Sequence, residues 1–232
     1  KKINFKIICL HHAETNNYND DKKFNFNKSI KKNTFNIDKT FKLIKRNTKI
    51  IISNTIFQEI KDKRYSAVNN YGKSKTISYK KIKEACLKYN LNYKALFITN
   101  PWGQYEEKKL NYYMINSWLN NQDVIIKYPN YVRDNIHIDK LKKSYVSIIN
   151  SASKKKEYFP SGYCSSNKIF ANALKKKFED YFNKKVNLKF IYGQKHNQPL
   201  VRINSKKVNK KIFIKEDLKN YFSYYKNLIY KS

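Results

Sequence analysis

Tyr71 and Lys75 stand four residues apart in Asn69-Asn70-Tyr71-Gly72-Lys73-Ser74-Lys75, a stretch where a helix should begin. Four residues is about one helical turn, so both side chains leave the same face. An ammonium held there lowers the pKa of a neighbouring phenol from its usual value of ~10, which makes the hydroxyl a proton-transfer group. Spacing by itself selects nothing in a chain with 20 tyrosines, because five Tyr-x-x-x-Lys pairs occur, starting at Tyr18, Tyr71, Tyr79, Tyr105 and Tyr181. The glycine beside Tyr71 singles that pair out. Only four glycines are present, and Gly72, Gly103 and Gly162 each fall in a stretch with further polar residues of interest.

Two elements must position the pair. Lys49 to Ser53 is an isoleucine run, the pattern of a strand buried on both faces of a parallel sheet. It delivers Ser53-Asn54-Thr55 to the carboxyl edge, where open α/β folds place their ligands. The helix that follows carries Tyr71, Ser74, Ser78, Ile82, Ala85, Cys86 and Tyr89 at helical period, so Cys86 reads as core. Before these, Lys2 to Leu10 reads as a buried strand, and Ile37, Phe41 and Ile44 mark an amphipathic helix. Adjacent His11 and His12 point to opposite faces of an extended chain, which argues against a shared metal.

Strand and helix keep alternating. Asn92 to Ile98 is a strand ending in a turn, Asn100-Pro101-Trp102-Gly103. Leu110, Tyr113, Met114, Ser117 and Asn121 outline a helix, and Val124 to Lys127 another strand. After Pro129 the texture changes. Arg133 opens a strand, Asp139 is expected to cap the helix of Leu141, Tyr145 and Ile148, and Ser165 or Ser166 the helix of Phe170, Leu174 and Phe178. Val186, Leu188, Phe190 and Tyr192 alternate, a short strand lies near Val201, and a helix with Leu218, Phe222 and Tyr225 closes the chain. The pattern predicts an α/β fold with a parallel sheet.

The formal charge of +33 raises nucleic acid first. Of the 50 basic residues only Arg46, Arg64, Arg133 and Arg202 are arginine, and the lysines are spread through every segment. Nucleic-acid surfaces lean on arginine for bidentate contacts, so no specific nucleic-acid partner is expected. Three scattered cysteines without Cys-x-x-Cys spacing indicate neither a disulfide framework nor a zinc site and fit a reducing cytoplasm. No apolar run is long enough for a membrane span. The chain begins at Lys1 without a methionine and is expected to be a piece of a longer protein.

With these residues in place, the chain resembles the extended short-chain dehydrogenase/reductases, the NAD-dependent epimerases and dehydratases of nucleotide sugars. The blocks that carry the resemblance run in order: Ile7 to Glu14, Asn36 to Thr40, Ile50 to Phe57, Asn70 to Lys75, Asn100 to Gly103, and Arg133-Asp134-x-Ile136-His137-x-Asp139. Pro160 to Tyr163 and Gln198 to Asn204 resemble one branch of that family. The resemblance implies a Rossmann-like parallel sheet with helices on both faces, lacking its first dinucleotide-binding strands, and a smaller C-terminal substrate-binding α/β part. The division expected is 1–128 for the incomplete NAD-binding domain and 129–232 for the substrate-binding region, interleaved with it.

Carried over by residue, the resemblance makes Tyr71 the acid/base, Lys75 the ribose-binding residue that tunes it, and Ser53 the hydroxyl that holds the reacting sugar. Ala13, Tyr71 and Lys75 would line the NAD or NADP cofactor. Asn100, Arg133, Arg202 and, as an alternative to Ser53, Thr55 would meet the nucleotide-sugar substrate. Arg133 would pair with its diphosphate; an ion pair of Arg133 with Asp134 or Asp139 is the structural alternative. A homodimer is implied for the intact protein. No glycine precedes Gly72, so the glycine loop that holds a pyrophosphate is missing and NAD binding by these residues alone is expected to be non-specific. An inactive folded remnant of such an enzyme and a basic nucleic-acid-binding module are the alternatives.

Overall fold

The computed structural model describes residues 5–11, 13–61, 65–106, 109–193, 198–205, 207 and 215–229. The histidine reading at His12 therefore lies outside the described residues. The chain divides into two compact units, Lys1–Ile98 with Ser144–Pro160, and Thr99–Lys143 with Ser161–Ser232.

The first unit is built on a four-stranded parallel sheet: β1 (Ile7–Leu10), β2 (Lys49–Thr55), β3 (Asn92–Ile98) and β7 (Glu157–Tyr158), in that order. Ile50, Ile51 and Ile52 are fully buried, as the isoleucine run predicts. Each removes a whole side chain from water, about 2 kcal/mol apiece. Their alternation sends Ile50 and Ile52 to one face and Ile51 to the other. The first face packs on Phe41 of α2 (Ile37–Leu43) and on Ile82, Ala85 and Cys86 of α3 (Asn70–Lys88). Ile51 and Leu96 pack on Ile148 of α5 (Ile138–Asn150). Helices thus cover both faces, and Cys86 is core. Ahead of α2 lies α1 (Phe26–Asn33), joined to α3 by the buried Ser29 and Ser74 hydroxyls at 3.1 Å. β1 forms a sheet edge and leaves Ile7 and Cys9 exposed.

Two lysines of this sheet are turned inward. Lys94 is 1% exposed and donates to the Ser151 carbonyl at 2.6 Å, and Lys49 donates to the Ile149 carbonyl. Carbonyls left over at the end of α5 are natural partners for cations, through both hydrogen bonding and the helix dipole.

The second unit centres on β6 (Val132–His137). β4 (Asn100–Trp102) runs parallel to its second half and β10 (Val201–Arg202) to its first half, while β8 (Tyr163–Ser166) lies antiparallel. Val132 and Arg133 pair with both β8 and β10, so those two strands occupy opposite edges. A separate parallel pair joins β5 (Val124–Ile126) to β9 (Leu188–Phe190). The core is aromatic: Trp102, Trp118, Phe170, Phe178, Tyr221 and Phe222 cluster from β4, α4 (Leu110–Leu119), α6 (Asn167–Phe182) and α7 (Lys215–Ile229).

Several expectations need correction. Asn100 to Trp102 is a strand rather than a turn, because β6 supplies backbone partners at Asn135 to His137. Asp139 lies inside the first turn of α5 instead of capping it. Tyr113 is exposed, and α4 buries Met114, Ile115 and Trp118. β7 and β8 were not expected as strands. Of the two serines, Ser166 is the cap, accepting from the Ile169 amide at 3.2 Å.

Candidate functional site

The first unit brings a polar cluster to the carboxyl ends of β1 and β2. Leu10 is in register with Ile52, so the next residues along, His11 and Ser53, fall side by side. Ser53 Oγ lies 2.8 Å from His11 Nδ1 and 2.7 Å from the Tyr145 hydroxyl. Ser53 shares its face with Ile51, which is why its hydroxyl meets α5, and the His11 and Tyr145 rings tilt together at 5.2 Å.

From the other face of the sheet, α3 reaches the same strand end. Asn69 caps this helix by accepting from the Gly72 amide at 2.9 Å. Gly72 sits against the turn after β2: a Cβ there would stand 2.2 Å from the Phe57 carbonyl oxygen. Any side chain would push the first turn of α3, and Tyr71 with it, off the sheet edge. Tyr71 is held edge-on by Tyr18 and Phe24, with ring centroids 5.5 and 5.9 Å away. One turn further, Lys75 is buried and donates to the Ser53 carbonyl at 3.2 Å. Burial pushes its ammonium down to about 8. Among the described residues no carboxylate neutralises it.

Ser53 and Lys75 are thus brought together by direct bonds, and Tyr71 is tied to them through α3. Thr55 is occupied otherwise: its hydroxyl accepts from the Phe57 amide at 3.2 Å and closes the turn after β2. Ala13 follows β1 and is half-buried.

In the second unit Arg133 and Arg202 are register partners on β6 and β10. The ion pair of Arg133 with Asp134 or Asp139 does not form. Asp134 is buried and accepts instead from the Gly162 amide at 2.7 Å and the Asn204 amide at 3.0 Å. Asp139 lies with Lys142 and His137. The Arg133 guanidinium donates to the Val132 and Leu200 carbonyls and to Gln198 Oε1, stacks over Tyr131 at 4.7 Å, and is lowered to about 10 by burial. Arg202 is buried, and Asn100 is half-buried opposite Asn135.

Sequence reasoning missed His11 as a partner of Ser53, and Tyr145, which it read as packing. Register was the available signal for His11, since both residues are the first beyond paired strand ends. Nothing in the sequence pointed Tyr145 at Ser53. Among the described residues no three histidine, cysteine or acidic side chains gather as a metal site, and no helix is long and apolar enough to cross a membrane.

The fold is the Rossmann-like one of nucleotide-sugar epimerases and dehydratases. A UDP-glucose 4-epimerase from Thermotoga maritima, solved with UDP-glucose, superimposes with a TM-score of 0.72 at 17% identity, covering 97% of this chain and 78% of that one. A dTDP-glucose 4,6-dehydratase from Streptomyces venezuelae, solved with NAD, gives 0.71 at 12% identity over 96% and 73%. A UDP-glucuronic acid 4-epimerase from Bacillus cereus, with UDP-glucuronic acid and NAD bound, gives 0.66 at 15% over 86% and 69%. No family model and no curated protein matches the chain.

Proposed function

We propose that the chain carries the catalytic part of an NAD-dependent epimerase or dehydratase acting on a nucleotide sugar. The observation that carries this reading is the buried Lys75 ammonium on the Ser53 carbonyl, one turn from Tyr71. A buried cation whose only hydrogen bond among the described residues goes to a carbonyl has donors to spare, and the hydroxyls of a ribose are suitable acceptors. Lys75 and Tyr71 fit the nicotinamide ribose, with Ala13 beside it. When bound, that cofactor supplies hydride chemistry.

The chain's own residues do the rest. Tyr71 exchanges a proton with the sugar hydroxyl, Lys75 favours the phenolate by its charge, and Ser53 Oγ orients the hydroxyl that reacts. The facing of Arg133 and Arg202 on adjacent strands, with no carboxylate on Arg133 among the described residues, supports a diphosphate site. Asn100 is proposed to contact the sugar. A homodimer is part of the same reading, checked by light scattering.

Tyr71→Phe tests the assignment. With UDP-glucose or dTDP-glucose as substrate, it should lower turnover by ~10² to 10⁴-fold and leave sugar-nucleotide affinity near wild type, because it removes a proton-transfer group and little surface. Unchanged turnover would move the acid/base role elsewhere. The reading leaves a bound pyrophosphate without a glycine loop in these 232 residues. Calorimetry at physiological salt is therefore expected to show weak, salt-sensitive NAD binding; salt-resistant micromolar binding would refute that expectation.

A further inference from the structure

Ser53 is a hydroxyl with one hydrogen to donate and two lone pairs to accept with. Two of these three capacities are already engaged, by His11 Nδ1 at 2.8 Å and the Tyr145 hydroxyl at 2.7 Å. A phenol is the more acidic hydroxyl and the better donor. Burial among Ile51, Leu96 and Ile148 raises the pKa of Tyr145 further and keeps its proton in place. Tyr145 therefore donates to Ser53 Oγ, and the Ser53 hydrogen is left for the second contact. Partial burial lowers the pKa of His11 below the ordinary histidine value of 6.5, so near neutral pH the imidazole is uncharged and Nδ1 has a lone pair. His11 itself remains exposed.

We propose that His11 is the hydrogen-bond acceptor of Ser53, with Tyr145 fixing the direction of the hydrogen bonds, so that Ser53 meets a substrate hydroxyl only as an acceptor. The proposal rests on the reading above that Ser53 faces the sugar. One lone pair of Ser53 Oγ is left over, and a sugar hydroxyl must donate to it. This bond orients the hydroxyl, whose proton then passes to Tyr71, while the hydrogens shared by Tyr145, Ser53 and His11 stay where they are. Both His11 and Tyr145 act through Ser53, as positioning residues.

The arrangement is pH-sensitive in a defined sense. Among the described residues, the groups bonded to His11 or to its partners are Ser53 on β2, Tyr145 on α5 and, behind the Ser53 carbonyl, Lys75 on α3, with Cys9 of β1 acting on Tyr145. None is a carboxylate. As pH falls through the His11 pKa, Nδ1 gains a hydrogen and must donate to Ser53, which reverses the chain of bonds. Turnover should therefore fall on the acid side, below pH 6.5.

Nitrogen NMR of the histidine-labelled protein decides the bond direction without any turnover. The four histidines are assigned with His11→Gln. In the wild type His11 should be the Nε2–H tautomer with a pKa below 6.5, and Ser53→Ala should raise that pKa by removing the bond that favours the neutral ring. A Nδ1–H tautomer, or a pKa that Ser53→Ala leaves in place, overturns the proposal. Kinetics supply the second arm. His11→Gln should lower kcat by roughly 10²-fold with KM little changed and abolish the acid limb. His11→Asn, whose amide oxygen can stand near the Nδ1 position, should restore part of kcat without restoring that limb. An acid limb that survives in His11→Gln also overturns the proposal. Absence of turnover by the wild type on any nucleotide sugar tells against the enzyme reading, while the NMR result still decides the hydrogen-bond direction.

Discussion

The two units bury ionisable groups in opposite styles. In the first, the buried cations are lysines that donate to main-chain carbonyls, Lys75 to Ser53 and Lys94 to Ser151. In the second, a carboxylate is fully buried as well. Asp134 accepts two backbone amides, and Glu106 accepts from the Tyr221 hydroxyl, with the Tyr225 hydroxyl 3.4 Å away. A carbonyl satisfies a lysine proton without neutralising the charge, so the first unit keeps a free positive charge beside its polar cluster. An amide pair stabilises a carboxylate in place, so Asp134 serves as a joint rather than as a reagent. The lesson is that partner type, more than depth of burial, separates a group poised for chemistry from one that holds strands together.

Substitutions sharpen that contrast. The largest effect is expected at Gly72. Gly72→Ala sets a methyl against the Phe57 carbonyl, which cannot move without disturbing β2, and should cost about 3 kcal/mol in denaturant unfolding. A loss below about 0.5 kcal/mol would show that α3 can slide and that Tyr71 is not held as described.

Lys75→Met comes next, with the opposite sign. The folded-state pKa is depressed to about 8 from 10.5, so at pH 7 the charge opposes folding by about 3 kcal/mol at most. The unfolded chain holds the proton between those values while the folded one does not. Wild-type stability from this group therefore rises as pH increases from 8 to 10.5. Lys75→Met should be more stable than wild type at pH 7, and the advantage should shrink toward pH 10.5. A destabilised variant would mean the charge is compensated.

Glu106→Gln probes the second unit. Burial raises this carboxyl to about 7 from 4.5, so its proton stabilises the fold at low pH, and that stability is lost as pH climbs through 7. The variant should melt higher than wild type at pH 8 and show little difference at pH 4; an identical difference at both would remove Glu106 as the cause. The smallest effect is expected from Arg133→Lys. Loss of the planar fork should weaken UDP binding by roughly tenfold and, with its bonds to Leu200 and Gln198, lower melting slightly. Unaltered UDP affinity would take the diphosphate away from Arg133.

Legibility followed the origin of each feature. The isoleucine run of β2 and the helical stripe of α3 are local patterns set by burial, and both stand where the sequence puts them. Short strands are different. β4, β7 and β8 hold two to four residues each, and their backbone conformation is decided by a partner far along the chain rather than by side-chain alternation. On α4 a tyrosine at helical spacing was an ambiguous sign, since Tyr113 fits the period but lies outside while Trp118 fills the core. The site was half visible. Ser53, Tyr71 and Lys75 sit in motifs, whereas Tyr145 reaches Ser53 across 92 positions with nothing local to announce it.

Asp134 also bears on the order in which the protein can be completed during synthesis. Its two oxygens wait for amides 28 and 70 residues downstream. Until Asn204 has left the ribosome, one oxygen of that carboxylate lacks its backbone partner and must rely on water. The second unit therefore closes late, after a long interval in which β6 is made but not locked. A chain cut short before Asn204 would strand that charge, and the expected result is a nascent product dependent on chaperones rather than a smaller stable fold.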